Sequence, residues 1–116
     1  SVNTSINWFR DLNAAQGGTA AEFARVFPVP GMAHCSAGPA TDQFDAITPL
    51  VRWVEEGIAP ERIVASVRGP GTAGALNAEL PSDWAPTRTR PLCPYPQVAR
   101  FVPGGNVEDA ASFVCR

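Results

Sequence analysis

Val26-Phe27-Pro28-Val29-Pro30-Gly31-Met32-Ala33-His34 is the stretch on which the fold turns. Its first four residues are a short apolar run that reads as a buried strand, and Pro30-Gly31 ends that strand abruptly in a loop. The loop runs from Gly31 to Asp42 in small and turn-forming residues and carries His34, the only histidine of the chain. Upstream, Ile6, Phe9, Leu12 and Asn13 fall on one side of a helix, with Asn3 or Thr4 as its N-cap and Gly17-Gly18 as its stop. Thr19 and Glu22 have capping-box spacing, which predicts a short helical turn over residues 20–25. Downstream, Phe44, Ile47, Leu50, Val51 and Val54 recur at helical spacing until Gly57 stops the helix and Pro60 forbids its resumption. Pro49 either sits in the first turn of a helix that starts near Thr48 or kinks a longer one. The β-branched residues between Glu61 and Arg68 predict a strand. Helix, strand, loop, helix, strand is the order of an α/β fold with a parallel or mixed sheet.

Beyond Arg68 the prolines take over. Residues 69–96 read as loop, 97–102 as an edge strand, and Asn106 as the cap of a short helix over 107–113. Twelve Pro and ten Gly in 116 residues argue against a self-sufficient core. The composition, 45% hydrophobic and 17% charged with a net charge of -2, excludes a disordered acidic tail and a basic nucleic-acid-binding module. All nine positive charges are Arg, spread from Arg10 to Arg116 without a cluster to neutralise a run of phosphates. No run of about 20 apolar residues could span a bilayer, and the N-terminus lacks a basic region followed by an apolar one. Neither nucleic acid nor membrane is an expected partner, and the chain reads as soluble or as a processed piece of a soluble protein.

Cys35, Cys93 and Cys115 are an odd number, so one of them stays free or reaches outside the chain. Cys35 is the candidate, because the other two flank a Pro-rich, helix-poor tail of the kind that a disulfide stabilises. An oxidising compartment follows, extracellular or periplasmic.

Among residues able to carry chemistry, His34 stands out by position. A lone histidine is most often structural, but this one lies on a loop after a strand and before a helix. The histidine of an α/β-hydrolase triad, last in the chain order Ser, Asp or Glu, His, occupies such a loop. No Gly-x-Ser-x-Gly elbow is present, so the nucleophile of a catalytic His34 is elsewhere. Cys35 is a poor nucleophile partner for His34, because adjacent side chains on an extended backbone diverge, and the two lack the companions of a zinc signature. Asp42 and Asp45 read as caps of the helix that follows them. Arg88 and Arg90 could grip a carboxylate, but structural pairing is the expected role. Trp8, Trp53, Trp84 and Tyr95 read as packing residues.

Two long motifs go further. Val29-Pro30-Gly31-Met32-Ala33-His34-Cys35-Ser36-Ala37-Gly38-Pro39, with Phe44-Asp45 and Trp53-Val54-Glu55-Glu56-Gly57-Ile58-Ala59-Pro60, resembles the tannase and feruloyl esterase family, its bacterial members above all. So do Arg88-Thr89-Arg90-Pro91-Leu92-Cys93-Pro94-Tyr95-Pro96-Gln97-Val98-Ala99-Arg100-Phe101 and Ala110-Ala111-Ser112-Phe113-Val114-Cys115. The resemblance implies that residues 1–116 are the C-terminal segment of an α/β-hydrolase domain, its last strands and helices plus a Pro-rich tail closed by a disulfide. The lid domain would lie outside the chain. It implies a serine esterase acting on esters of aromatic acids of the gallate, ferulate or terephthalate type, with His34 as the triad histidine. It pairs Cys93 with Cys115, and Cys35 with a cysteine outside the chain, next to the nucleophilic serine. The serine, the oxyanion hole, the lid and its calcium would lie upstream, with the triad aspartate just before Ser1. This segment holds no cofactor in that reading. Its partners are the N-terminal portion of the enzyme and a small aromatic ester, and it is inactive alone. The alternative is a non-catalytic, disulfide-stapled secreted module that binds another protein.

Overall fold

The computed structural model describes residues 1–72 and 74–116; residue 73, inside the expected loop over 69–96, lies outside the described residues. Helix α1 (Val2–Ala15) begins after Ser1, ahead of the expected caps Asn3 and Thr4 and with no side-chain cap, and turns Phe9 into the interior, with Ile6, Leu12 and Asn13 half-buried on the same side, as the spacing predicts. The chain then makes a single 3-10 turn, Ala20–Glu22. The expected capping box does not form. Thr19 Oγ1 donates back to the Gln16 carbonyl, and Asn13 Oδ1 accepts from the Ala20 N–H instead.

The expected strand over residues 26–29 does not form, and these residues belong to no sheet. Pro28 and Pro30 have no N–H to donate to a ladder, and the backbone of the run is tied instead by the Val26 carbonyl, which accepts from the Tyr95 N–H at 2.8 Å. Phe27 and Val29 pack against the buried cluster Ile63, Ala65 and Leu92.

That cluster belongs to a three-stranded sheet in the order β1 (Gln43–Phe44), β2 (Ile63–Ser66), β3 (Thr89–Leu92). Both pairings are antiparallel, where the element order had pointed to a parallel or mixed sheet. Along β2 and its continuation, Ile63, Ala65 and Val67 are buried while Val64 is exposed, the alternation of a half-buried strand. Strand β3 lies in the stretch expected to be loop. Pro91 sits opposite Val64, and a proline is admissible there because β3 is an edge strand of this sheet.

Between β1 and β2 lies helix α2 (Ile47–Glu56), with Pro49 in its first turn and no kink. Gly57 ends it with φ 72°, and the N–H groups of Gly57 and Ile58 return to Trp53 and Arg52, a Schellman closure. Its apolar stripe does not face the core. Ile47, Leu50, Val51 and Val54 are all exposed, and the helix is held mainly through Trp53, on which the Arg25 guanidinium stacks while donating to the Pro60 carbonyl.

The tail folds as a second sheet of β4 (Ala99–Phe101) and β5 (Phe113–Cys115), paired antiparallel. The expected helix over 107–113 is replaced by a 3-10 turn, Ala110–Ser112, capped by the Asp109 side chain, and then by β5. The reason is covalent. Cys115 is joined to Cys93, the residue following β3, and that bond draws the end of the chain alongside β4. Closing a loop of 22 residues stabilises the fold by about 3 kcal/mol. Arg88 and Glu108 add a two-pronged ion pair, with Trp84 stacked on the guanidinium.

Candidate active site

His34 stands at the tip of the Gly31–Asp42 loop, exposed to solvent. The stem of that loop is two backbones in contact. A Cβ added to Gly38 would meet the Gly31 carbonyl oxygen at 2.2 Å, and one added to Gly31 would meet that of Pro39 at 2.4 Å. Only glycine fits such an approach. The Ala33 N–H donates to the Ala37 carbonyl at 3.1 Å, closing the tip into a turn of five residues.

Cys35 and Ala37 within the turn, and Gly38 directly after it, have φ of 70°, 65° and 76°. Two of the three carry a side chain, so the turn stores backbone strain of about 1–2 kcal/mol at each. The αL twist at Cys35 also overturns an expectation. On extended backbone the side chains of residues 34 and 35 would diverge, but here Cys35 Sγ lies 3.0 Å from His34 Nδ1. Cys35 is free and exposed.

Carboxylates hold the strained turn from behind. Asp42 Oδ2 accepts from the Ala37 N–H at 2.6 Å, and Glu79 Oε2 accepts from the Gly38 N–H at 2.6 Å. Asp42 therefore does not cap α2; that role falls to Asp45, whose Oδ1 accepts from the Ile47 and Thr48 N–H groups. The Asp42 side chain has no exposed surface and is gripped by Arg68 through Nε and Nη2. The arginine's hydrogen bonds hold the Asp42 carboxyl below the usual carboxylate range, and the carboxylate in turn raises the Arg68 guanidinium. Neither Asp42, Arg68 nor Glu79 was marked by sequence reasoning as a support of this loop.

The other candidates separate from the site. Arg88 is committed to Glu108, and Arg90 lies over the Phe113 ring, its guanidinium lowered by burial first and by the charge of Arg88 second. Cys93 and Cys115 form the disulfide, the pairing expected from the Pro-rich tail that they flank. Among the described residues no helix is long and apolar enough to cross a membrane.

A family model described as tannase and feruloyl esterase matches residues 1–116. The chain belongs to the tannase and feruloyl esterase family. It is 50% identical over 115 residues to a mono(2-hydroxyethyl) terephthalate hydrolase of Piscinibacter sakaiensis, covering 99% of this chain and 17% of that protein. It is 36% identical over 95 residues to a probable feruloyl esterase of Arthroderma benhamiae, covering 80% of this chain and 16% of the other. A crystal structure of an esterase from Aspergillus oryzae superposes on all of this chain and 24% of its own with a TM-score of 0.75 at 28% identity. The chain thus spans about a sixth of the length of these curated relatives. Its family is one of ester hydrolases, and its mixed helix and sheet content agrees with part of such a fold.

Proposed function

We propose that this chain is the C-terminal portion of a secreted or periplasmic serine carboxylic-ester hydrolase acting on esters of aromatic acids, to which it contributes His34 as general base. The observation that carries the reading is the loop itself. A single exposed histidine at the tip of a turn with two positive-φ residues and a third directly after it, in a chain of the tannase and feruloyl esterase family, is a side chain aimed outward from a frame that fixes it. The disulfide between Cys93 and Cys115 supports an oxidising compartment.

In the complete active site His34 Nε2 takes the proton from the serine as it attacks the ester carbonyl, then returns it to the leaving alcohol. Its Nδ1–H has to point at an aspartate, and Cys35 Sγ stands 3.0 Å from that nitrogen in this structure. A disulfide from Cys35 to a cysteine beside the serine would draw the sulfur away, free Nδ1 for the carboxylate and tie the two catalytic loops together. Calcium belongs to the lid in this reading. Among the described residues no group of three His, Cys, Asp or Glu side chains is placed to hold a metal ion, and no step here uses one.

The test is made in the full-length enzyme. His34→Ala should lower turnover of an aryl ester by about 10³-fold or more while leaving the thermal midpoint within a few degrees; near-normal turnover would sink the assignment. Cys35→Ser should lower both rate and thermal midpoint, and the bridge is refuted if neither moves. The 116-residue chain alone should be inactive, since it holds one triad member of three.

A further inference from the structure

The His34 turn is strained, exposed at its tip and short of apolar burial, so what keeps it in one shape must be its polar contacts. Its hydrogen bonds to side chains outside the turn lead to one place. The consecutive N–H groups of Ala37 and Gly38 are each met by a different carboxylate, Asp42 at 2.6 Å and Glu79 at 2.6 Å. Consecutive N–H groups flanked by a positive φ make a concavity for an anion. Here two carboxylates of the chain itself fill it. The Gly38 carbonyl accepts from the buried Asn77 side chain at 2.8 Å, so that residue is held at both its polar atoms.

Behind this first set stands Arg68, two residues beyond β2. Its Nε and Nη2 grip Asp42, its Nη1 donates to the Ala75 carbonyl at 2.9 Å, and its own carbonyl accepts from the Asn77 N–H at 3.0 Å. Asn77 Oδ1 then accepts from the Glu79 N–H at 3.0 Å, which fixes where the Glu79 carboxylate begins. Arg68 therefore joins both carboxylates, and through them the turn, to the end of a sheet strand. The Asp42 side chain is fully covered while Arg68 keeps some exposure, so the carboxylate depends on these partners for its hydrogen bonds, and leaving it unpaired is costly.

We infer that Asp42 and Arg68, with Glu79 and Asn77, form a clamp that positions His34 for proton transfer by holding the Ala37-Gly38 backbone against the end of β2. This rests on His34 being the general base. The four are positioning residues, since their hydrogen bonds reach the turn through its backbone three and four residues beyond the histidine. Catalysis is sensitive to displacements of the base of about 1 Å, so a loosened clamp shows itself in turnover before it shows itself in substrate binding.

The experiment uses the full-length enzyme and a chromogenic aryl ester, with kcat normalised to the folded fraction read from near-ultraviolet circular dichroism. Asp42→Asn keeps the shape but puts an NH₂ group against either the Arg68 guanidinium or the Ala37 N–H, donor against donor. We expect kcat to fall about 10–100-fold with KM within about twofold, and no further loss when Asp42→Asn is added to His34→Ala. Arg68→Lys, which keeps the charge and loses the fork, should fall between the wild type and Asp42→Asn. Glu79→Gln, on a less buried segment, should lower kcat about 3–10-fold and decides the matter if Asp42→Asn does not fold. Normalised kcat within twofold of wild type in the variants that fold, with His34→Ala inactive, overturns the clamp and leaves the histidine assignment standing. A parallel rise in KM, or full additivity with His34→Ala, also overturns it. An active His34→Ala enzyme overturns the underlying reading.

Discussion

Gly38 shares its αL conformation with Gly57, yet the two should respond differently to the same substitution. A Cβ at Gly57, φ 72°, meets nothing within 4 Å, whereas at Gly38, φ 76°, it meets the Gly31 carbonyl oxygen at 2.2 Å. Gly57→Ala should therefore cost only the conformational penalty, about 1 kcal/mol. Gly38→Ala adds a backbone clash that only movement of the loop relieves, and should cost about 2 kcal/mol or more. Urea unfolding of the two variants checks this, and equal losses would mean that the loop stem is softer than its packing implies. The special roles of Gly38 and Asp42 were not legible in the sequence. A glycine in a loop of small residues signals a turn but not which backbone lies across from it, and Asp42 before a helix has the signature of a cap. Its actual partner, Arg68, is 26 residues away. The loop that carries His34 and the cysteine pairing were legible, the first from its small and turn-forming residues and the second from the Pro-rich tail that Cys93 and Cys115 flank.

At the level of elements, reading succeeded where the signal was local and failed where a distant partner decided. The first helix and the Schellman end of α2 follow from spacing and one glycine. Strand β3 does not, because Pro91 argues against any strand until the edge position of β3 is known. Nor does β5, whose Asn106, Glu108 and Asp109 look like a helix start until the disulfide to Cys93 pulls the chain straight. Glu108 instead serves as the tie between β5's approach and β3. Hydrogen bonds from Arg88 chiefly hold its carboxyl below the ordinary value of 4.5. A carboxyl lowered in the folded state stabilises the fold above its unfolded pKa, and that contribution is lost as pH falls through the folded value. Thermal midpoints of wild type and Glu108→Gln should differ most above pH 4.5 and converge on acidification below it. A gap constant with pH would assign the loss to packing and not to charge.

For the molecule as a whole, area decides. A compact protein of 12.3 kDa exposes about 6,100 Å², and this chain exposes 7301 Å². Its Cα radius of gyration is 15.2 Å, against about 13 Å expected at this length. Part of the excess is the stripe on α2, where Ile47 is 68% and Val54 is 77% exposed and no residue is buried. A helix of ten residues is marginal in water without tertiary packing. In the 116-residue chain, α2 amides should therefore exchange with solvent far faster than those of β2, whose Ile63 and Ala65 are buried in the core. In the full-length enzyme proposed above, the stripe meets the rest of the hydrolase domain, and protection of α2 should rise toward that of β2. Hydrogen exchange on both forms separates the two cases. Equal, low protection of α2 in both would mean that the stripe stays uncovered and that α2 is no part of the domain's packed interior. High protection in the short chain would mean instead that Trp53 and Arg25 suffice to hold the helix.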